Sequence, residues 1–220
     1  MLKKGVIQKM ARINDVINYQ SSYSDSSDVL KNKFGLNKKE LLEEKERLLT
    51  NYKLADLYIT GITGDFDVKH YLSIHKYLFS DIYEFAGEIR SENIQKTLPF
   101  CLPNLIYSNL ENALRRAKRD STRIQNEEEL IHFFAYYYSE LDIIHPFMEG
   151  NGRTEREFFR QYILQINGII DFGEYEVDYS KIESKDQFIR AVIIADATCD
   201  LTELKKYIKN ILVNKKVLNK

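Results

Sequence analysis

Apolar residues recur at intervals of three and four through most of this 220-residue chain. That spacing belongs to helices packed on a core, not to strands. In residues 37–58, Leu41, Leu42, Leu48, Leu49 and Leu57 make an apolar side between charges, and Asn37 with Glu40 three positions on predicts a capped start. A second helical run places Tyr71, Leu72, Ile74, Tyr77, Leu78, Ile82 and Phe85 inward and is predicted to end near Gly87. A third is predicted to begin at a capping Asn104. A fourth begins at Asn126, with Glu129 completing the box and Leu130, Phe133, Phe134, Tyr137 and Leu141 facing inward. A fifth runs from Gly152 to a C-terminal cap at Gly168, and residues 186–212 supply the last helical material. The exception is 91–103, which has no helical period and holds two of the three prolines; it is predicted to be an extended segment or hairpin. The fold class expected is all-α, with six to eight helices and one small hairpin.

Three regions follow from this reading. Residues 1–36 form an N-terminal segment, with a short amphipathic stretch at 1–18 and a Ser-rich linker after it. Residues 37–200 form one domain, and 201–220 form a C-terminal helix with a Lys-rich tail, read as a solvated helix end. Net charge is −1, so a general electrostatic grip on nucleic acid or membrane is not expected. Cys101 and Cys199 belong to no CxxC pair and suit a reducing, cytoplasmic setting. No signal-like leader or membrane-length apolar run is read from the sequence.

Between the fourth and fifth helices lies HPFMEGNGRTER, residues 145–156, which uses two of the nine glycines. Gly150 and Gly152 let backbone amides turn toward a common point, because no Cβ restricts φ. Successive inward N–H groups make an anion nest, and the helix that follows adds its free amides and the positive end of its dipole. Arg153 and Arg156 lie three apart in the first turns of that helix, where basic residues oppose the dipole; an anion compensates them, and two guanidinium groups suit a polyphosphate. Glu149 is misplaced beside an anion unless a divalent cation such as Mg2+ lies between them. His145 carries an imidazole, which can take a proton from a hydroxyl. Phe147 is expected to point inward and anchor the loop. Each part alone is more often structural: a lone histidine, a surface Arg pair, a Gly-Asn-Gly turn. Eight specified positions together would coincide at a given start less than about once in 10^9 at average residue frequencies.

The stretch resembles the signature of the Fic family, His-x-Phe-x-Asp/Glu-Gly-Asn-Gly-Arg-x-x-Arg, at every specified position. The preceding IHKYLFSDIYEFAGEIRSENI and LPFCLP also look like the region before the signature in bacterial members, and the similarity extends over roughly 37–200. The resemblance implies a Fic-type helical bundle with a small β-hairpin flap, and transfer of AMP from ATP to a Ser, Thr or Tyr hydroxyl of a target protein. It implies that His145 is the base and that Glu149 holds Mg2+. Gly150, Asn151 and Gly152 would bind the α- and β-phosphates, Arg153 would contact the phosphates, and Arg156 would fix the γ-phosphate. The flap residues Ser91, Asn93, Ile94, Gln95 and Thr97 would hold the target segment by strand addition.

A relative group that phosphorylates has Lys at the second glycine; Gly152 here favours AMP transfer. A kinase or other phosphate-group transferase and a non-catalytic nucleotide-binding module are the alternatives. Members are commonly inhibited by a Ser/Thr-x-x-x-Glu-Gly/Asn helix. The one Ser/Thr-x-x-x-Glu match here, Ser80 to Glu84, is followed by Phe85 and belongs to a core run. The resemblance therefore implies a separate small antitoxin that supplies the inhibitory acid. Tyr19 and Tyr23 in the Ser-rich segment are candidates for self-modification.

Overall fold

The computed structural model describes residues 29–215; the amphipathic stretch, the Ser-rich linker, Tyr19, Tyr23, Lys216 and Lys220 lie outside them. Seven α-helices are present among the described residues: α1 Lys39–Thr60, α2 Val68–Phe79, α3 Pro103–Ser121, α4 Glu127–Ile144, α5 Asn151–Ile166, α6 Lys185–Thr198 and α7 Thr202–Ile211. The all-α expectation holds. Helix α4 lies at the centre, against α3, α5, α6 and α7, while α2 packs on α1, α3 and α5. The reason is its composition: Leu130, Phe133, Phe134, Tyr137, Tyr138, Leu141 and Ile144 are all buried, so it presents apolar surface to neighbours on several sides. None of the helices is long and apolar enough to cross a membrane.

The caps divide into those legible from local sequence and those that are not. The box at Asn126 forms as expected: its side chain accepts from the Glu129 amide at 2.9 Å, and Glu129 accepts from the Gln125 amide. Asn37 does not cap α1, which starts at Lys39 behind Lys38 with no side-chain cap. Asn104 lies inside α3, which begins with Pro103 after Leu102; proline fits the first turn because its missing N–H would be unpaired there anyway. Helix α2 stops at Phe79, well before Gly87, and turns carry the chain on to Gly87. Gly168 is not a left-handed cap; α5 ends at Ile166, with Asn167 in helical conformation. Leu41 and Leu48 of α1 are exposed, while Leu42 and Leu57 are buried.

The expected hairpin at 91–103 is reduced to one antiparallel bridge, Gln95 with Pro99, plus a bond from the Phe100 amide to the Ile94 carbonyl at 3.4 Å. The regular strand pair lies elsewhere: β1 Tyr175–Val177 runs antiparallel to β2 Leu212–Asn214, after a tight Asn167 clasp on both backbone groups of Tyr175. Strands of three residues carry too short a pattern to be read from sequence. Leu204, Ile208 and Ile211 of α7 are buried in the same core as the rest, so this helix packs into the domain.

Candidate active site

The signature lies on the loop from α4 to α5, with its first residue at the end of one helix and its last in the next. His145 closes α4 in the left-handed region, φ 45°. Its amide still bonds to the Leu141 carbonyl, and the positive φ swings its ring out of the helical path. Gly150 is also left-handed, φ 81°, and a Cβ there would lie 2.3 Å from the Phe79 ring. Glycine is required at this position by both backbone and space. The first intrahelical bond of α5 is the Thr154 amide to the Gly150 carbonyl, 3.1 Å, so the amides of Asn151, Gly152 and Arg153 precede the helical ladder. Three such N–H groups at the positive end of a helix form an arrangement that can hold an anion.

Asn151 is buried, and its side chain is turned back into the loop. Oδ1 accepts from the Phe147 amide at 2.8 Å and Nδ2 donates to the Phe147 carbonyl at 2.7 Å. Its contribution to an anion is therefore through the backbone. Phe147 is fully buried as expected. His75 of α2 stacks on it at 3.7 Å, receives the Gly87 amide on Nδ1 at 2.8 Å, and donates from Nε2 to the Glu149 carbonyl at 2.9 Å. Burial pushes the His75 pKa down to about 4, against the pull of the Glu149 carbonyl, so the ring is a neutral brace.

The two arginines play different parts. Arg153 donates to Glu46 of α1 at 2.5 Å and to Glu149 at 3.2 Å, and it lies 4.7 Å over the Phe79 ring. Glu46 also accepts the Tyr83 hydroxyl. Among the described residues Arg156 forms no ion pair; it lines a cavity of about 460 Å³ with Arg153, Arg160, Tyr58 and Tyr179. Glu149 is partly exposed and accepts the Gly150 amide at 2.8 Å. No cluster of three or more acidic, His or Cys ligands occurs among the described residues. A partly exposed carboxylate beside the free α5 amides fits Mg2+, which takes one or two carboxylates and fills its shell with phosphate oxygens and water.

His145 is 5% exposed. Its Nδ1 lies 3.1 Å from the Asp142 carbonyl oxygen, which can only accept. The neutral ring therefore carries its proton on Nδ1 and its lone pair on Nε2. Phe100, at the base of the 91–103 segment, stacks on the ring at 3.7 Å and 8°. Arg90 holds the backbone here, donating to the carbonyls of His145, Glu92 and Cys101 at 2.8, 2.6 and 2.6 Å. Ser91 and Asn93 are exposed and Ile94, Gln95 and Thr97 half-buried on the segment that Arg90 ties to the loop. Sequence reasoning missed Glu46, His75, Arg90 and Phe100, which lie 45 to 107 positions from their partners on the loop and the helix after it. No local pattern marks them; a buried arginine just after a turn glycine is at most a weak hint.

A family model described as the Fic/DOC family matches residues 65–163. The probable protein adenylyltransferase y4lH of Sinorhizobium fredii is 31% identical over 168 residues, covering 75% of this chain and 82% of that one. Protein adenylyltransferase VbhT of Bartonella schoenbuchensis is 30% identical over 200 residues, 89% of this chain; the match spans 40% of VbhT's length. In structure, the N-terminal Fic domain of a VirB-translocated Bep effector protein from Bartonella quintana superposes with a TM-score of 0.77 at 24% identity, covering 90% of this chain and 94% of that one. The BepC protein of Bartonella tribocorum, solved with bound AMPPNP, gives 0.74 at 21% identity over 87% and 95% of the two chains. The chain belongs to the Fic/DOC family.

Proposed function

We propose that this chain transfers AMP from ATP to a Ser, Thr or Tyr hydroxyl of a target protein. Relatives named protein adenylyltransferase support a nucleotidyltransferase activity, and the domain at 37–200 is the unit proposed to carry it. The observation that carries the reading is His145: a buried imidazole with Nδ1 engaged and Nε2 free as a proton acceptor, on the loop that leads to the α5 amides. In this mechanism the α5 amides and Arg156 bind the triphosphate of ATP. The target hydroxyl gives its proton to Nε2 of His145, its oxygen forms a bond to the α-phosphorus, and pyrophosphate leaves. Mg2+, held by Glu149, would neutralise phosphate charge. Residues 91–97 would hold the target segment alongside, through backbone groups of the partly exposed flap.

Regulation by a small antitoxin is part of this proposal. What supports it is the contrast between the arginines: Arg153 is paired with acids of this chain, whereas Arg156 is not paired among the described residues. A partner's acid could therefore occupy it. The two free cysteines accord with a reducing cytoplasm.

The test is incubation with α-labelled and, separately, γ-labelled ATP plus a cell lysate. Protein label from the α position alone is the expected result. Label from the γ position alone would make the enzyme a kinase, and no label from either would leave a nucleotide-binding module. His145→Ala is expected to abolish transfer while leaving ATP binding nearly intact.

A further inference from the structure

We propose that Asp142 is the positioning carboxylate of His145, and that Asp196 of α6 holds it in place by sharing one proton with it. This rests on His145 acting as the base. Asp142 Oδ1 lies 3.7 Å from His145 Nδ1, on the side of the ring opposite the free Nε2. When Nε2 takes the hydroxyl proton, a positive charge appears on a side chain only 6% exposed. A buried cation needs a nearby anion, and Asp142 is the one placed to supply it. The backbone carbonyl already fixes the tautomer, so the carboxylate's part is to stabilise the imidazolium.

Asp196 reaches across the α4–α6 contact to Ser139, three residues before Asp142 on α4, which brings the two acids close enough to shift each other's pKa. Two carboxyls so close cannot both be ionised, so one proton lies between them. Its position follows from the surroundings. Asp196 accepts from Ser139 Oγ at 2.6 Å, and burial followed by the charge of Asp142 pushes its pKa up to about 8. Asp142 is opposed by burial, but the bond and charge of His145, the proton on Asp196 and the charge of Lys96 on the flap hold it below the usual carboxylate range. Glu155 of α5 also faces the pair; it is 1% exposed, one of its oxygens has no partner, and burial holds it protonated. Tyr71 of α2 and Tyr138 of α4 are kept neutral by burial as well. Of the three acids, Asp142 alone carries charge toward His145. Three helices thus place a single negative charge behind the base.

The proton balance is simple. The hydroxyl proton moves to Nε2, the O–P bond forms, the bond to pyrophosphate breaks, and the shared Asp142–Asp196 proton stays where it is.

The test compares Asp142→Asn, Asp196→Asn and Asp196→Ala with the wild type, by kinetics and by NMR titration of His145. Asp142→Asn is expected to lower kcat roughly 10- to 100-fold with KM for ATP within about 2-fold. The acid limb of its rate profile and the NMR midpoint of His145 should both move to lower pH by at least about half a unit. Asp196→Asn keeps a donor toward Asp142 and should retain about 10-fold more kcat than Asp196→Ala. Unchanged kcat and an unchanged His145 midpoint in Asp142→Asn would overturn the proposal. Should that variant fail to fold, equal kcat in the two Asp196 variants would overturn it. If the wild type transfers no label, the functional reading fails, while the NMR midpoint still decides the pairing of Asp142 with His145.

Discussion

His75 lies face to face on Phe147, with ring centroids 3.7 Å apart and planes 11° from parallel. One residue comes from the middle of α2, the other from the loop between α4 and α5. The same imidazole bonds the Gly87 amide and the Glu149 carbonyl, so a single side chain braces the loop by packing and by polar contact. His75→Ala removes a fully buried ring and leaves two backbone groups without their partner. It is expected to destabilise the fold by about 3 kcal/mol in urea titration and to lower AMP transfer beyond what the loss of folded protein explains. A change under about 1 kcal/mol would show that the loop is held without it.

Gly150→Ala forces a side chain onto a left-handed backbone and against Phe79. The conformational cost is about 1–2 kcal/mol and the overpacking adds about 1–3. Phe79→Leu in the same chain should recover part of the overpacking and none of the conformational cost. A double-mutant cycle measures the coupling, and strict additivity would disprove the clash.

Arg153 and Arg156 are expected to respond in opposite ways. Arg153→Ala leaves Glu46, whose side chain is 10% exposed, without its cation and should cost about 2 kcal/mol of stability. Arg156→Ala breaks no ion pair among the described residues, so thermal stability should hold while affinity for ATP falls at least about 10-fold by calorimetry. Equal losses of stability in the two variants would contradict this division.

The pH dependence of stability should carry the mark of Asp196. Its folded-state pKa, about 8, lies above the unfolded value of 3.8, so the folded state binds the extra proton between these limits. Its stabilising contribution is full below about pH 4 and is lost as pH rises through about 8. Asp196→Asn has no such proton to lose. Its stability relative to wild type should therefore rise from pH 5 to pH 8, by a fraction of the limiting ~1.4 kcal/mol per pH unit, because the residue is only partly buried. A constant difference across that range would sink this expectation.

Chelation gives a further check on Glu149. EDTA should abolish transfer and added Mg2+ should restore it. Glu149→Gln should raise the Mg2+ concentration needed for half-maximal transfer several-fold in the same assay.

The sequence by itself determined the helical class, the capping box at Asn126 and the whole loop from His145 to Arg156. All three are local. A helical period, a cap and a turn glycine are written within a few residues of where they act, and the chemistry of the loop needs contiguous amides and side chains. The tertiary structure decided what each member of that loop does. It turned the Asn151 side chain inward, committed Arg153 to Glu46, left Arg156 open, and set Phe100 and Arg90 against His145. It also paired Asp142 with Asp196 across two helices and joined β1 to β2 across 34 residues or more. These roles depend on which helix faces which, and packing of distant apolar faces fixes that; the short pattern around any one residue does not encode it.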